Sequence, residues 1–366
     1  MGPHMSLHPD LPPTQTPAMN TKFTLTCLVA TAGLLAFALP KDEVKFSVAE
    51  GSSLSKNFEI TVEASLDDML LNFNGQEIDP AALGGEFDLA DANGSFGYVL
   101  SVVDDYIKMD GARTMELHRA VETMAGEYSS GTGDSGSESN SMEGQTLIFK
   151  WDAEEEAHTI SVKDEENEAD PEDVALFAED LDLRSMLPSG SVAEGDTWTL
   201  RGANLMSILA PGMDVNKALA KAKEEASEGD MPIEIDEALD MISEDMVLTC
   251  TYVGSREVDG RSLMVIELSS EFESNLDLSD MVLEAIEAEM PPEMALDMSI
   301  VLEMAAEATG EVTWDAKAGH FVAMALEIDI VMIIDASGNM DAGGQEMAGG
   351  IEAEASMHYE LSASAD

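Results

Sequence analysis

Residues able to do chemistry are few in this chain, and their spacing argues against a catalytic centre. Four histidines lie beyond residue 40, namely His118, His158, His320 and His358. None stands at metal-ligand spacing from another or from Cys250. His158 and His320 follow the pairs Trp151-Asp152 and Trp314-Asp315, which points to a structural role at a repeated hairpin. Cys250 alternates with Leu248 and Tyr252, the place of a small buried hydrophobe rather than of a reactive thiol. Neither half of the chain offers a Gly-rich phosphate loop between a strand and a helix.

Gly133-Asp134-Ser135-Gly136 has the form of a protease nucleophile motif, but it stands inside Ser129 to Glu143, a low-complexity run expected to be disordered. A nucleophile on such a run is not preorganised, and no histidine-bearing motif precedes it to supply a base. Carboxylate pairs are too numerous to single out a glycosidase pair, which would also need aromatic platforms in a chain only 5% aromatic. The expectation is a protein without catalytic residues, metal ligands or cofactor, and not an enzyme.

The elements around these residues are clearer. Met294, Leu296, Met298, Ile300, Leu302 and Met304 alternate with mostly polar or small residues. After a turn at Trp314 to Gly319, Val322, Met324, Leu326, Ile328, Ile330, Met332 and Ile334 continue the pattern, and Ile351 to Leu361 repeats it. Period-two alternation of this length predicts a sheet with one buried and one wet face. Methionine is the unusual apolar choice, 25 in all. Being flexible and polarizable, it suits a surface that accepts varied apolar partners, although filling an irregular core is its commoner use. Met298, Met304, Met324, Met332 and Met357 are therefore the candidate ligand-binding residues.

Charge and the N-terminus bound the setting. The chain has 366 residues, 74 acidic against 17 basic, a formal charge of −57, yet 45% hydrophobic residues, enough to bury a core. Such a surface excludes nucleic acid and anionic membrane as partners and leaves weak cation binding as the sharper reading of an otherwise salt-tolerant coat. Residues 1–38 read as upstream or vector-derived residues followed by a secretory signal: Lys22, an apolar run from Phe23 to Ala38, and a small-x-small site at Ala36-Phe37-Ala38. An uncleaved anchor is the alternative reading of that run. Cys27 lies at the start of the apolar run, not after it as a lipidated cysteine would. The expected destination is periplasmic or extracellular, and Cys250 alone remains after cleavage, so no internal disulfide can form.

Three matches recur in one order. Val48-Ala49-Glu50-Gly51 returns as Val192-Ala193-Glu194-Gly195, Asp110-Gly111 as Asp259-Gly260, and Trp151-Asp152-Ala153 as Trp314-Asp315-Ala316, at offsets of 144, 149 and 163 residues. The order predicts an internal duplication: two tandem, related, antiparallel curved sheets, mainly β with accessory helices, over residues 39–187 and 188–366. Asp-Gly between alternating runs predicts a hairpin with both central residues at positive φ. Helices are expected at Pro171 to Met186, Asp214 to Glu228, Glu234 to Met246 and Asp280 to Met290.

The long alternating strands, the Trp-Asp turns, and Gly195-Asp196-Thr197-Trp198 after Leu187-Pro188 resemble a large group of uncharacterised secreted bacterial β-rich proteins. More distantly, the plan is similar to lipoprotein-carrier and lipocalin-like folds, although no lipocalin signature is present. The resemblance implies a sheet that half encloses helices and an apolar cavity, hence an exported, highly acidic carrier of an apolar or lipid-like ligand. A structural or interaction protein of the cell envelope or matrix is the second expectation.

Overall fold

The structure is a computed structural model that describes residues 41–78, 89–163, 171–215, 217–218, 220–221, 246–280, 282–283, 294–342 and 346–366. The leader and most of the last three expected helices lie outside these residues. The strands are β1 (Ser53–Phe73), β2 (Gln76–Ile78), β3 (Gly94–Asp110), β4 (Arg113–Ser130), β5 (Ser135–Ser139), β6 (Thr146–Asp152), β7 (Ala157–Val162), β8 (Thr197–Leu200), β9 (Leu248–Val258), β10 (Arg261–Asp277), β11 (Met294–Asp315), β12 (His320–Ala342) and β13 (Glu346–Ala365). Two α-helices, α1 (Pro171–Ala175) and α2 (Gly202–Leu209), accompany them. No helix among the described residues is long and apolar enough to cross a membrane.

The protein is mainly β with accessory helices, as the alternation predicts, but the strands form one open antiparallel sheet rather than two. Its order is β7-β6-β4-β3-β1-β13-β12-β11-β10-β9-β8, with β2 on β1 and β5 on β4. The reason is β13, which pairs with β12 on one side and with β1 on the other, so the opening strand of the first half has no free edge along most of its length. The two outermost strands, β7 and β8, are short, which limits the unpaired edge the sheet presents.

The matched tetrapeptides have the same local geometry. Gly51 N donates to Tyr106 O and Tyr106 N to Ser52 O; Gly195 N donates to Tyr252 O and Tyr252 N to Asp196 O. Register follows: Tyr106 faces Leu117, which faces Phe149, just as Tyr252 faces Ile266, which faces Val312. The two Asp-Gly turns differ. Asp259 and Gly260 are both at positive φ (52° and 77°), a two-residue loop of the kind predicted. In the first half Asp110 is still in the strand, paired with Arg113, and Gly111 takes the first loop position at φ 63°.

Two further expectations are corrected. Ser129 to Glu143 is an ordered hairpin: β5 folds back on β4, Gly133 turns at φ 88°, and Met142 is fully buried. Pro171 to Met186 is helical only in its first turn. From Leu176 it runs as a strap across the sheet, with a short 3-10 turn at Arg184–Met186 that opens on Leu183 at φ 55°. Off the helical path, the strap brings Asp182 onto Lys56, a cation buried in the sheet, and its backbone carbonyls at Ala178 and Glu179 onto Arg119. One core cluster runs through both halves on the covered face, from Phe58, Leu100 and Leu117 to Ile266, Val312 and Trp314.

Candidate functional site

The covered face of the first half carries charge at its centre. Lys56 has the same strand parity as Phe58 and Ile60, so its side chain enters the core and is fully buried. Its Nζ lies 2.8 Å from Asp104 Oδ2 and 2.6 Å from Asp182 Oδ1, and it donates to the Tyr106 hydroxyl at 2.8 Å. That hydroxyl donates in turn to Asp182. Arg119 grips Asp104 in a bidentate pair (2.7 and 2.9 Å) and donates to the strap carbonyls of Ala178 and Glu179. Arg184 pairs with Glu179 and Asp180. Burial alone would raise the Asp104 carboxyl, but Arg119 and Lys56 outweigh it and hold the group below the usual carboxylate range. Burial, reinforced by Asp182, pushes the Tyr106 phenol well above its ordinary value. With all three Lys56 donors and four of the five Arg119 donors engaged and almost no exposed surface, this network fastens the strap to the sheet.

Beside the network the strap lifts away and leaves a half-open apolar cavity of about 470 Å³. Ile60, Val62, Tyr98 and Leu100 form its floor, and Phe177, Leu209 and Pro211 its roof. The roof is zipped by backbone bonds, Ala178 N to Gly212 O at 2.8 Å and Asp214 N to Leu176 O at 2.6 Å. Tyr359 on β13 donates to Leu209 O at 2.7 Å and ties roof to sheet. Gly212 is required there: it sits at φ 78°, and a Cβ would lie 3.1 Å from Leu181 and 3.3 Å from Leu100. Burial raises the Tyr98 phenol to about 12, so it stays neutral. Phe96, 47% exposed, stands at the mouth. Three other depressions, about 480, 560 and 640 Å³, are more open, and serines and carboxylates are prominent in the lining of the two largest. Enclosure and apolar lining together make the first cavity the candidate site.

The five methionines singled out by alternation do not line it. Met324 is 3% exposed and packs in the core against its register partners Val312 and Ala363. Met304 and Met332 face each other across β11 and β12, and Met357 pairs with Ile330; these three and Met298 are half-buried on the same face. Met357 lies two residues from the cavity residue Tyr359 on one face of β13, so the half-exposed row begins where the cavity ends. The cavity residues Phe96, Tyr98, Met124 and Phe177 were not singled out. Their signal was present in the alternation of Phe96, Tyr98 and Leu100 within a chain poor in aromatics.

The remaining singled-out residues lie outside the cavity lining. His158 Nε2 lies 2.8 Å from Thr114 O, with its ring edge-on to Trp151. His320 Nδ1 lies 2.6 Å from Phe321 O. His358 stands on the opposite, wet face, 2.7 Å from Asp329. Cys250 is fully buried, and burial pushes its thiol up to about 12. Comparison of the chain with protein-family models and with curated proteins gives no match.

Proposed function

We propose that this chain is an exported binding protein that carries an apolar ligand in the cavity between the strap and strands β1, β3, β4 and β13. The observation that carries the reading is the cavity itself: about 470 Å³, half-open, walled by aliphatic and aromatic side chains, and of the size that ligand pockets have, roughly 300–1,000 Å³. The secretory pattern at Phe23 to Ala38 and the likeness to lipoprotein-carrier folds support it. The acidic coat keeps such a carrier soluble and off anionic membranes. A second reading, an interaction protein whose wet acidic face is the working surface, is favoured by the closed packing of Met324, Leu326 and Ile328 in the second half.

Binding of the neutral dye Nile red tests the first reading. One dye should bind per chain, and Val62→Trp, which fills the cavity from its floor, should weaken binding at least ~10-fold with little change in Tm, because Val62 is only half-buried. Absence of a saturable dye site in the parent protein would sink the carrier reading and favour the second.

A further inference from the structure

We propose that the cavity takes amphiphiles with a neutral or cationic head group and rejects those with an acidic one. The inference rests on the reading of the cavity as a binding site and names what that site accepts. Among the described residues Asp173 is the only lining residue that carries charge, and none of their lysines, arginines or histidines lines the wall. The nearby Lys221 ammonium lies 2.9 Å from Asp173, so its charge is already matched by a carboxylate. The cations deeper on this face are committed as well. Lys56 is shared between Asp104 and Asp182, and Arg119 between Asp104 and two strap carbonyls. A carboxylate or phosphate head entering the mouth would lose water and meet no unmatched cation among the described lining residues.

What the mouth does offer suits the opposite class. Phe96 and Tyr98 supply aromatic rings, whose faces attract ammonium groups, and the Asn140 amide can bond a hydroxyl or carbonyl. Beyond the mouth, a formal charge of −57 lowers the local concentration of anions and raises that of cations, an effect that salt screens. The wall chemistry and the field act in the same direction. The field weakens in salt; the missing cation does not.

Displacement of Nile red by three ten-carbon probes at pH 8 separates the outcomes: 1-decanol, decyltrimethylammonium and decanoate, each below its micellar range, at low salt and at 0.5 M NaCl. Decanol and decyltrimethylammonium should displace the dye, and decanoate should be at least ~10-fold weaker at low salt and still weaker than decanol at high salt. Asp173→Asn should reduce the advantage of the ammonium over decanol and leave decanol itself unchanged. Decanoate binding as tightly as decanol would overturn the inference while leaving the carrier reading standing. Decyltrimethylammonium binding that survives Val62→Trp would mark adsorption to the acidic surface and overturn the cationic part. If the dye binds but no probe displaces it, chain amphiphiles are the wrong class and the inference falls; if the dye does not bind, both fall.

Discussion

Lys56, Asp104 and Arg119 in the first half stand at the register positions of Leu200, Cys250 and Leu268 in the second. Lys56 faces Val102 as Leu200 faces Leu248, and Asp104 faces Arg119 as Cys250 faces Leu268. The same strand arrangement therefore accepts either three buried charges or three small and aliphatic side chains. The sheet does not require the charges; the strap does. Glu179, Asp180 and Asp182 cross the first half, and without Lys56 and the strap's own Arg184 their burial would go uncompensated, while Arg119 holds Asp104 and the strap carbonyls. In the second half Asp42 arrives from the N-terminal arm, and the Tyr252 hydroxyl donates to it at 2.6 Å. Each half thus receives its acid from a segment preceding the other's first strand, and only the heavier load needs buried cations.

The largest expected effect breaks the charged half. Lys56→Met removes one partner from Asp104 and Asp182 and should cost about 3–5 kcal/mol in urea unfolding. Adding Asp104→Cys, Arg119→Leu and Asp182→Asn makes the first half resemble the second and should recover most of that loss. A quadruple variant no more stable than Lys56→Met would show that the charges do more than neutralise one another.

A smaller effect separates the halves by pH. The Asp104 carboxyl is held below its unfolded value, so its contribution is present above the ordinary carboxylate pKa of ~3.9 and is lost as pH falls through the folded one. Below pH 4, amide exchange should therefore quicken in β3 and β4 before it does in β9 and β10. Simultaneous loss in both would mean that the halves open as one cooperative unit.

The smallest effect lies on the wet face. Glu271, Glu307 and Asp329 stand directly opposite one another across β10, β11 and β12, whereas the same row ends in Ser95 and Ser129 in the first half. Glu307→Gln should stabilise by about 0.2–1 kcal/mol at low ionic strength, and the gain should shrink in salt. The melting temperature of the parent protein should rise with NaCl for the same reason. Millimolar Ca²⁺ that raises it beyond a matched NaCl control would reveal cation binding on the acidic coat.

Local order was legible in the sequence and long-range order was not. Alternation located β11, β12 and β13, though not their ends, because facing and burial repeat every second position. It could not tell that Met324 is packed while Met332, eight residues along the same face, is half-open, since depth depends on what lies above the strand. Nor could it join the halves into one sheet. The pairing of β1 with β13 matches Lys56 to Ala365, and two edges that far apart in sequence leave no local trace. The buried network did leave one: Lys56 and Arg119 interrupt inward-facing apolar positions, Lys56 before Phe58 and Ile60, Arg119 between Leu117 and Val121. Among 74 acids, their partners could not be picked out.

The place of β13 bears on the order in which the molecule can assemble. Until the last twenty or so residues are available, β1 and β12 each present a long bare edge, and strands with bare edges recruit strands from other molecules. The β1–β13 pairing joins strands almost the whole described chain apart, so it carries the largest loop-closure entropy of the sheet's pairings. A chain cut before Glu346 would therefore lose more than one strand: it would be left as two incomplete sheets with adhesive margins, prone to aggregate however sound the rest of its sequence.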